Sequence, residues 1–157
     1  MIKRLSSEIH DLLKTVDSIT VTYEKNKSTI TFPNNIRFEL DNNYPFCPPR
    51  VWIKDIPYKE YRINHSSQRI QTYYADLGYE CLCCCTMIKT ENWSPIYQMS
   101  KVLEEIDQLN AIKQYVKYKI ATEEITKHHE LPQDIGYEIE SFLYANKPIR
   151  ISQITNK

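Results

Sequence analysis

Between residues 19 and 40 apolar and polar residues alternate in three short runs, and this pattern constrains the fold more than any other feature. Ile19, Val21 and Tyr23 alternate with Thr20 and Thr22. Ile30 and Phe32 alternate with Thr29 and Thr31, and Ile36, Phe38 and Leu40 with Arg37 and Glu39. Successive side chains of a strand point to opposite faces, so each run predicts a strand with one apolar face. Lys25-Asn26-Lys27, Pro33-Asn34-Asn35 and Asp41-Asn42-Asn43 separate the strands, and Asn and Pro favour turns. Links this short join antiparallel neighbours. With Val51-Trp52-Ile53 as a fourth strand, the prediction is a four-stranded antiparallel meander.

Helices flank the meander. Ile2, Leu5, Ile9, Leu12, Leu13 and Val16 recur at three- and four-residue spacing and predict an amphipathic helix over 2–16. Lys3, Arg4, Glu8, Asp11 and Lys14 are assigned to its polar face. Residues 54–92 are irregular, and Ile70–Tyr74 reads equally as a helical turn or a strand. Ser94 suits a helix N-cap and Pro95 the first helical position, where a missing N–H costs nothing. Ile96, Met99, Val102, Leu103, Ile106 and Leu109 form the apolar stripe of that helix. Ile112, Val116, Ile120 and Ile125 continue it, with a break expected near Asn110. Leu131-Pro132 punctuates the chain before a last helix marked by Ile135, Ile139, Phe142 and Leu143. The fold class is α+β: one domain over 1–145, with helices over 111–145 and a polar tail over 146–157.

Composition removes several function classes. Lys+Arg and Asp+Glu are both 20, so no net field draws the chain to nucleic acid or to a membrane. Only 2 glycines are present, which excludes a glycine-rich phosphate loop. No apolar run approaches the ~20 residues of a membrane span. The start Met1-Ile2-Lys3-Arg4-Leu5 soon meets Ser6, Ser7 and Glu8, unlike a signal peptide. Richness in Ile, Lys, Asn and Tyr fits an A/T-rich genome, such as that of a protist or a large virus.

Five cysteines are present, and Cys81, Cys83, Cys84 and Cys85 crowd together. Bridges of secreted frameworks link distant segments, so the cluster predicts free thiols in a reducing cytoplasmic or nuclear setting. Around it lie three motifs in fixed order: Tyr44-Pro45-Phe46-Cys47-Pro48-Pro49-Arg50-Val51, then Glu80-Cys81-Leu82, then Asn92-Trp93-Ser94-Pro95. Together with Ile2–Ile9 and the element order, these motifs resemble the ubiquitin-conjugating enzyme family over roughly residues 2–110. The resemblance implies a cysteine that carries ubiquitin or a ubiquitin-like modifier as a thioester and passes it to lysine. It implies an activating enzyme and a ubiquitin ligase as partners, and no cofactor.

The Cys-Leu pair points to Cys81 as the thioester cysteine. Trp93 follows Cys81 by twelve positions and Cys85 by eight, and the family's usual eight keeps Cys85 as the alternative. The family's His-Pro-Asn triad is missing. Ile63-Asn64-His65 is its nearest substitute, which makes Asn64 the candidate oxyanion donor, with Asn92 second. The family's ligase surface maps onto Lys3, Arg4, Phe46, Ser94 and Pro95. These residues also have plain structural readings: a solvated helix face, a core aromatic and a helix start. Cys47 in its proline turn reads as incidental, and His10 as a surface residue.

Two other functions fit the same residues. A catalytically inactive variant of the fold would bind ubiquitin or a ligase. A small zinc-stabilised interaction domain would use Cys81 and Cys84, which have C-x-x-C spacing. A structural zinc site needs a second ligand pair, and His128-His129 are adjacent rather than three to five apart, so no metal site is predicted.

Overall fold

The computed structural model describes residues 2–16, 18–63, 67–79 and 86–145. The tail expected over 146–157 lies outside the described residues. The architecture is α+β. Backbone contacts divide the chain into two compact units. Unit 1 is Met1–Asn64 with Cys81–Glu105, and unit 2 is His65–Glu80 with Ile106–Lys157.

Unit 1 contains helix α1 (Ile2–Leu12), strands β1 (Thr20–Glu24), β2 (Lys27–Phe32), β3 (Ile36–Asp41), β4 (Arg50–Ile53) and β5 (Ile56–Pro57), and helix α2 (Tyr58–Ile63). The strands form one antiparallel sheet in the order β1-β2-β3-β4-β5. Register puts Ile30 opposite Phe38, Phe32 opposite Ile36, Phe38 opposite Val51 and Ile36 opposite Ile53. All are buried, so one face of the sheet is apolar, as alternation requires. Leu5 and Leu12 of α1 are buried too, and α2 packs on β4 and β5.

The fifth strand is an addition to the expected four. β4 turns into β5 through Lys54 (φ 52) and Asp55 (φ 61), a two-residue hairpin with both central residues left-handed. Such turns favour Asn-Gly or Asp-Gly, and Lys-Asp carries no such signal. Helix α1 stops at Leu12 rather than running to 16. The Thr15 amide and hydroxyl both donate to the Leu12 carbonyl, at 3.0 and 3.1 Å, and close the helix in a turn that leaves Leu13 exposed.

Unit 2 contains α3 (Gln68–Asp76), α5 (Gln133–Ala145) and the larger part of α4 (Met99–His128), whose first residues belong to unit 1. Ile70–Tyr74 is therefore helical, and residues 54–92 hold β5, α2 and α3. Helix α4 is continuous through Asn110, where a break was expected. The buried series Met99, Val102, Ile106, Leu109, Ile112 and Val116 keeps helical spacing through that point, and Asn carries only a small helix penalty. Two helices end in the same capping arrangement. After α3, Gly78 (φ 81) lets the Gly78 amide reach the Ala75 carbonyl and the Tyr79 amide that of Tyr74, both at 2.8 Å. After α4, Glu130 (φ 51) takes the glycine position, and the Leu131 amide donates to the Thr126 carbonyl at 2.9 Å.

Among the described residues no helix is long and apolar enough to cross a membrane.

Candidate active site and its flanking anchors

Glu8 ties three segments of unit 1 together. Its side chain is 3% exposed and receives the Arg4 Nε–H at 2.7 Å, the Tyr44 hydroxyl at 2.7 Å and the Met99 amide at 3.0 Å. The assignment of Glu8 to the polar face is thus corrected. Leu5, Glu8 and Leu12 sit three and four residues apart, so all three share the buried face. Burial, and then the hydrogen bond to Glu8, push the Tyr44 phenol well above its ordinary value.

The same contact corrects the start of α4. Ser94 and Pro95 do not open the helix. The Tyr97 amide donates to the Ser94 carbonyl at 2.9 Å, forming a separate turn, and α4 begins at Met99. A carboxylate from α1 serves that helix N-terminus, where an anion is favoured. Ile96, expected in the apolar stripe, is 78% exposed.

Further bonds join the segments that carry the ligase-surface candidates. The Arg4 guanidinium donates to the Tyr97 carbonyl at 2.7 Å, and the Trp93 indole N–H to the Pro45 carbonyl at 2.7 Å. The Trp93 ring lies 6.2 Å from that of Tyr44 and 5.9 Å from that of Tyr97. Arg4 is therefore partly committed to internal bonds, whereas Lys3 and Pro95 are exposed and Ser94 is half-buried. Phe46 is 78% exposed, so it is not the core aromatic of the plain reading. Cys47, beside it, is a half-buried free thiol.

Cys81, Cys85, Cys84 and Asn64 lie outside the described residues. The chain resumes at Thr86, and from there it is held tightly. Thr86 is buried; its hydroxyl donates to Glu105 Oε1 at 2.6 Å and the Met87 amide to Glu105 Oε2 at 2.8 Å. The Asn92 amide nitrogen donates to the Thr86 carbonyl at 2.9 Å, folding residues 86–92 back on themselves. Asn92 and Trp93 amides both reach the Lys89 carbonyl at 2.9 Å.

Glu105 also receives the Tyr58 hydroxyl at 2.8 Å and the Arg62 Nη1 at 2.6 Å, both from α2. Arg62 is 4% exposed, so its charge is buried and needs this carboxylate. Burial and the negative charge of Glu105 raise the Tyr58 phenol well above its ordinary value.

Glu8, Tyr58, Arg62, Thr86 and Glu105 were not identified from sequence. Only Glu8 left a trace, as a charge at an apolar position of the helix. Among the described residues, no group of three or more His, Cys, Asp or Glu is placed to hold a metal. His10 is exposed. The arrangement as a whole is a hydrogen-bonded frame that begins at Thr86, the residue after the cysteines in sequence, beside a turn that presents an exposed aromatic.

No curated protein matches the chain, and no solved structure matches it. A family model described as "Ubiquitin-conjugating enzyme" matches residues 21–130. The match spans the sheet, the Tyr-Pro-Phe turn, the cysteine segment, Trp93-Ser94-Pro95 and α4, which is well over half of the sequence. The chain belongs to the ubiquitin-conjugating enzyme family.

Proposed function

We propose that this protein accepts ubiquitin or a ubiquitin-like modifier from an activating enzyme as a cysteine thioester and transfers it to a lysine amine. A cysteine thiolate attacks the carbonyl carbon of the incoming thioester. The new C–S bond forms, the old one breaks, and the activating enzyme's thiolate leaves. A lysine nitrogen then attacks the same carbon. An isopeptide C–N bond forms, the cysteine thiolate departs, and the amine proton passes to solvent or a base. Cysteine suits both steps because its thiolate is a good nucleophile and a good leaving group near neutral pH.

The observation that carries this reading is the anchored stretch Thr86–Trp93. It follows the cysteines and ends at the indole bond to Pro45 of the Tyr-Pro-Phe turn. Two features of the sequence bear on which cysteine reacts. Cys81 has the Cys-Leu pair in its favour. Cys85 has the eight-residue spacing to Trp93. We assign the thioester to Cys81, with Cys85 as the second candidate. The Asn92 side chain already donates to the Thr86 carbonyl, which favours Asn64 as the oxyanion donor. Lys3, Arg4, Phe46, Ser94 and Pro95 form the proposed ligase-facing surface, with residues 1–145 acting as one functional domain in a reducing compartment.

The test is a charging assay with activating enzyme, ATP and ubiquitin, with and without reductant, on wild type, Cys81→Ala and Cys85→Ala. A reductant-sensitive adduct lost only in Cys81→Ala is the expected result. Loss only in Cys85→Ala would move the nucleophile to Cys85. No adduct with ubiquitin or related modifiers would overturn the enzyme reading in favour of a modifier- or ligase-binding role, which the missing His-Pro-Asn triad also fits.

A further inference from the structure

We infer that Glu8 is the positioning residue of the ligase-facing surface, a buried carboxylate that sets how the Phe46 turn and the Ser94-Pro95 segment stand against α1. The inference rests on the function proposed above and adds to it a residue that the partner itself does not meet.

The surface is assembled from three stretches of unit 1 that are far apart in sequence. Lys3 and Arg4 belong to α1, Phe46 to the turn after β3, and Ser94 and Pro95 to the segment before α4. Each stretch places one group on the Glu8 carboxylate. Within α1 the Arg4 Nε–H donates to Oε1 at 2.7 Å. From the turn the Tyr44 hydroxyl donates to Oε2 at 2.7 Å. From the third stretch the Met99 amide donates to the same oxygen at 3.0 Å.

Short hydrogen-bonded links join these groups to the exposed residues. The Tyr44 amide donates to the Asp41 carbonyl at 3.1 Å, and the Phe46 and Cys47 amides to the Asn43 carbonyl at 2.7 and 3.1 Å, so holding Tyr44 holds the turn that carries Phe46. Tyr97 is braced on two sides. Its carbonyl accepts from Arg4 at 2.7 Å, and its amide donates to the Ser94 carbonyl at 2.9 Å. The Trp93 indole closes the ring of bonds at the Pro45 carbonyl, at 2.7 Å. Lys3, Phe46 and Pro95 are exposed, whereas the Glu8 side chain is 3% exposed. A partner meets the first three and not the fourth.

Cohesion alone would not need this chemistry, since apolar side chains of similar volume often replace buried charged groups without loss of stability. Three donors on two oxygens fix direction as well as distance, which apolar packing does not. A surface already held in its binding shape avoids the ordering cost that association otherwise carries.

The experiment is discharge of a preformed ubiquitin thioester to free lysine, titrated with a ubiquitin ligase selected because it accelerates the wild type. Glu8→Gln, Phe46→Ala, the double variant and Ile112→Val are compared with wild type. The readout is the ligase concentration giving half-maximal acceleration, taken relative to each variant's own unstimulated rate. Gln keeps the size of Glu but offers one acceptor oxygen to three donors. The half-maximal concentration rises about tenfold in Glu8→Gln. Phe46→Ala raises it in the wild-type background and adds little in the Gln background, because Glu8 acts through the placement of that ring. Ile112→Val truncates a buried residue of α4 in unit 2 and lowers stability without moving the half-maximal concentration. Should Glu8→Gln fail to fold, Tyr44→Phe removes one of the three bonds and gives a rise of about threefold. A Glu8→Gln (or, in its place, Tyr44→Phe) response equal to wild type, or an equal shift in Ile112→Val, overturns the role of Glu8 and leaves the thioester function standing. Equal effects of Phe46→Ala in both backgrounds overturn it too. A wild type that charges but that no ligase accelerates removes the ligase-facing surface and the inference with it. A wild type that forms no adduct overturns the thioester function as well.

Discussion

The Oε2 atom of Glu8 accepts the Met99 amide at 3.0 Å, so a carboxylate of α1 caps a helix that starts 91 residues later. Ordinary N-caps are local, supplied by the residue before the helix. Here the cap also accepts from Tyr44 and Arg4, so a single side chain fixes α1, the Tyr-Pro-Phe turn and α4 in unit 1.

Replacing Glu8 by Ala removes the acceptor for a buried phenol and a helix amide and leaves Arg4 without its ion pair. The expected loss of stability is about 3 kcal/mol, against about 1 kcal/mol for Tyr44→Phe, which removes one bond. Urea unfolding midpoints at constant slope measure both. Equal costs for the two variants would mean that the cap itself contributes nothing.

Alkaline pH provides a second test. Tyr44 and Tyr58 are held above the ordinary 10.0, by burial first and then by Glu8 and Glu105 respectively. Below pH 10 both phenols keep their protons in the folded and unfolded chain, and their contribution is fully present. Above it the unfolded chain releases those protons while the folded chain retains them, so stability falls as pH rises. Unfolding free energies between about pH 9 and 11 should decline more steeply for wild type than for Tyr44→Phe or Tyr58→Phe. Parallel curves would count against either phenol being held in this way.

Phe46→Ala is expected to separate stability from the proposed ligase recognition. Its ring is 78% exposed, so Phe46→Ala should change stability by less than about 0.5 kcal/mol. Discharge of the thioester to free lysine should be unchanged. Ligase-stimulated discharge should fall about tenfold, the size expected for an aromatic interface anchor. Equal ligase stimulation of both forms would remove Phe46 from the partner surface.

Glu130 ends α4 at φ 51, a conformation that costs a non-glycine residue roughly 1–2 kcal/mol. Glu130→Gly relieves this, and the greater freedom of glycine in the unfolded chain takes back roughly half. The expected net gain is up to about 1 kcal/mol, read as a raised unfolding midpoint. A lowered midpoint would show that the Glu130 side chain makes a stabilising contact.

Periodicity made much of this protein legible. The alternation of Ile30, Phe32, Ile36, Phe38 and Leu40 determined two strands and their buried face, because register on a half-buried sheet is set by which residues must leave water. The order Tyr-Pro-Phe, Cys-Leu, Trp-Ser-Pro carried the family. Boundaries were legible only where their signals were local. Gly78 closes α3 where a glycine is expected, but Glu130 and the Lys54-Asp55 hairpin use residues that announce nothing.

Tertiary structure alone decided the anchors. Ser94-Pro95 has the composition of a helix start, yet α4 begins four residues after Pro95, because Glu8 supplies an acceptor at Met99 that no local pattern reveals. In the same way Glu105 reads as an ordinary helix charge until Arg62, Tyr58, Thr86 and Met87 converge on it. A strand's face follows from neighbours one or two residues away and is written in the sequence. A buried carboxylate is satisfied by donors dozens of residues distant, and only the folded chain brings them within hydrogen-bonding reach.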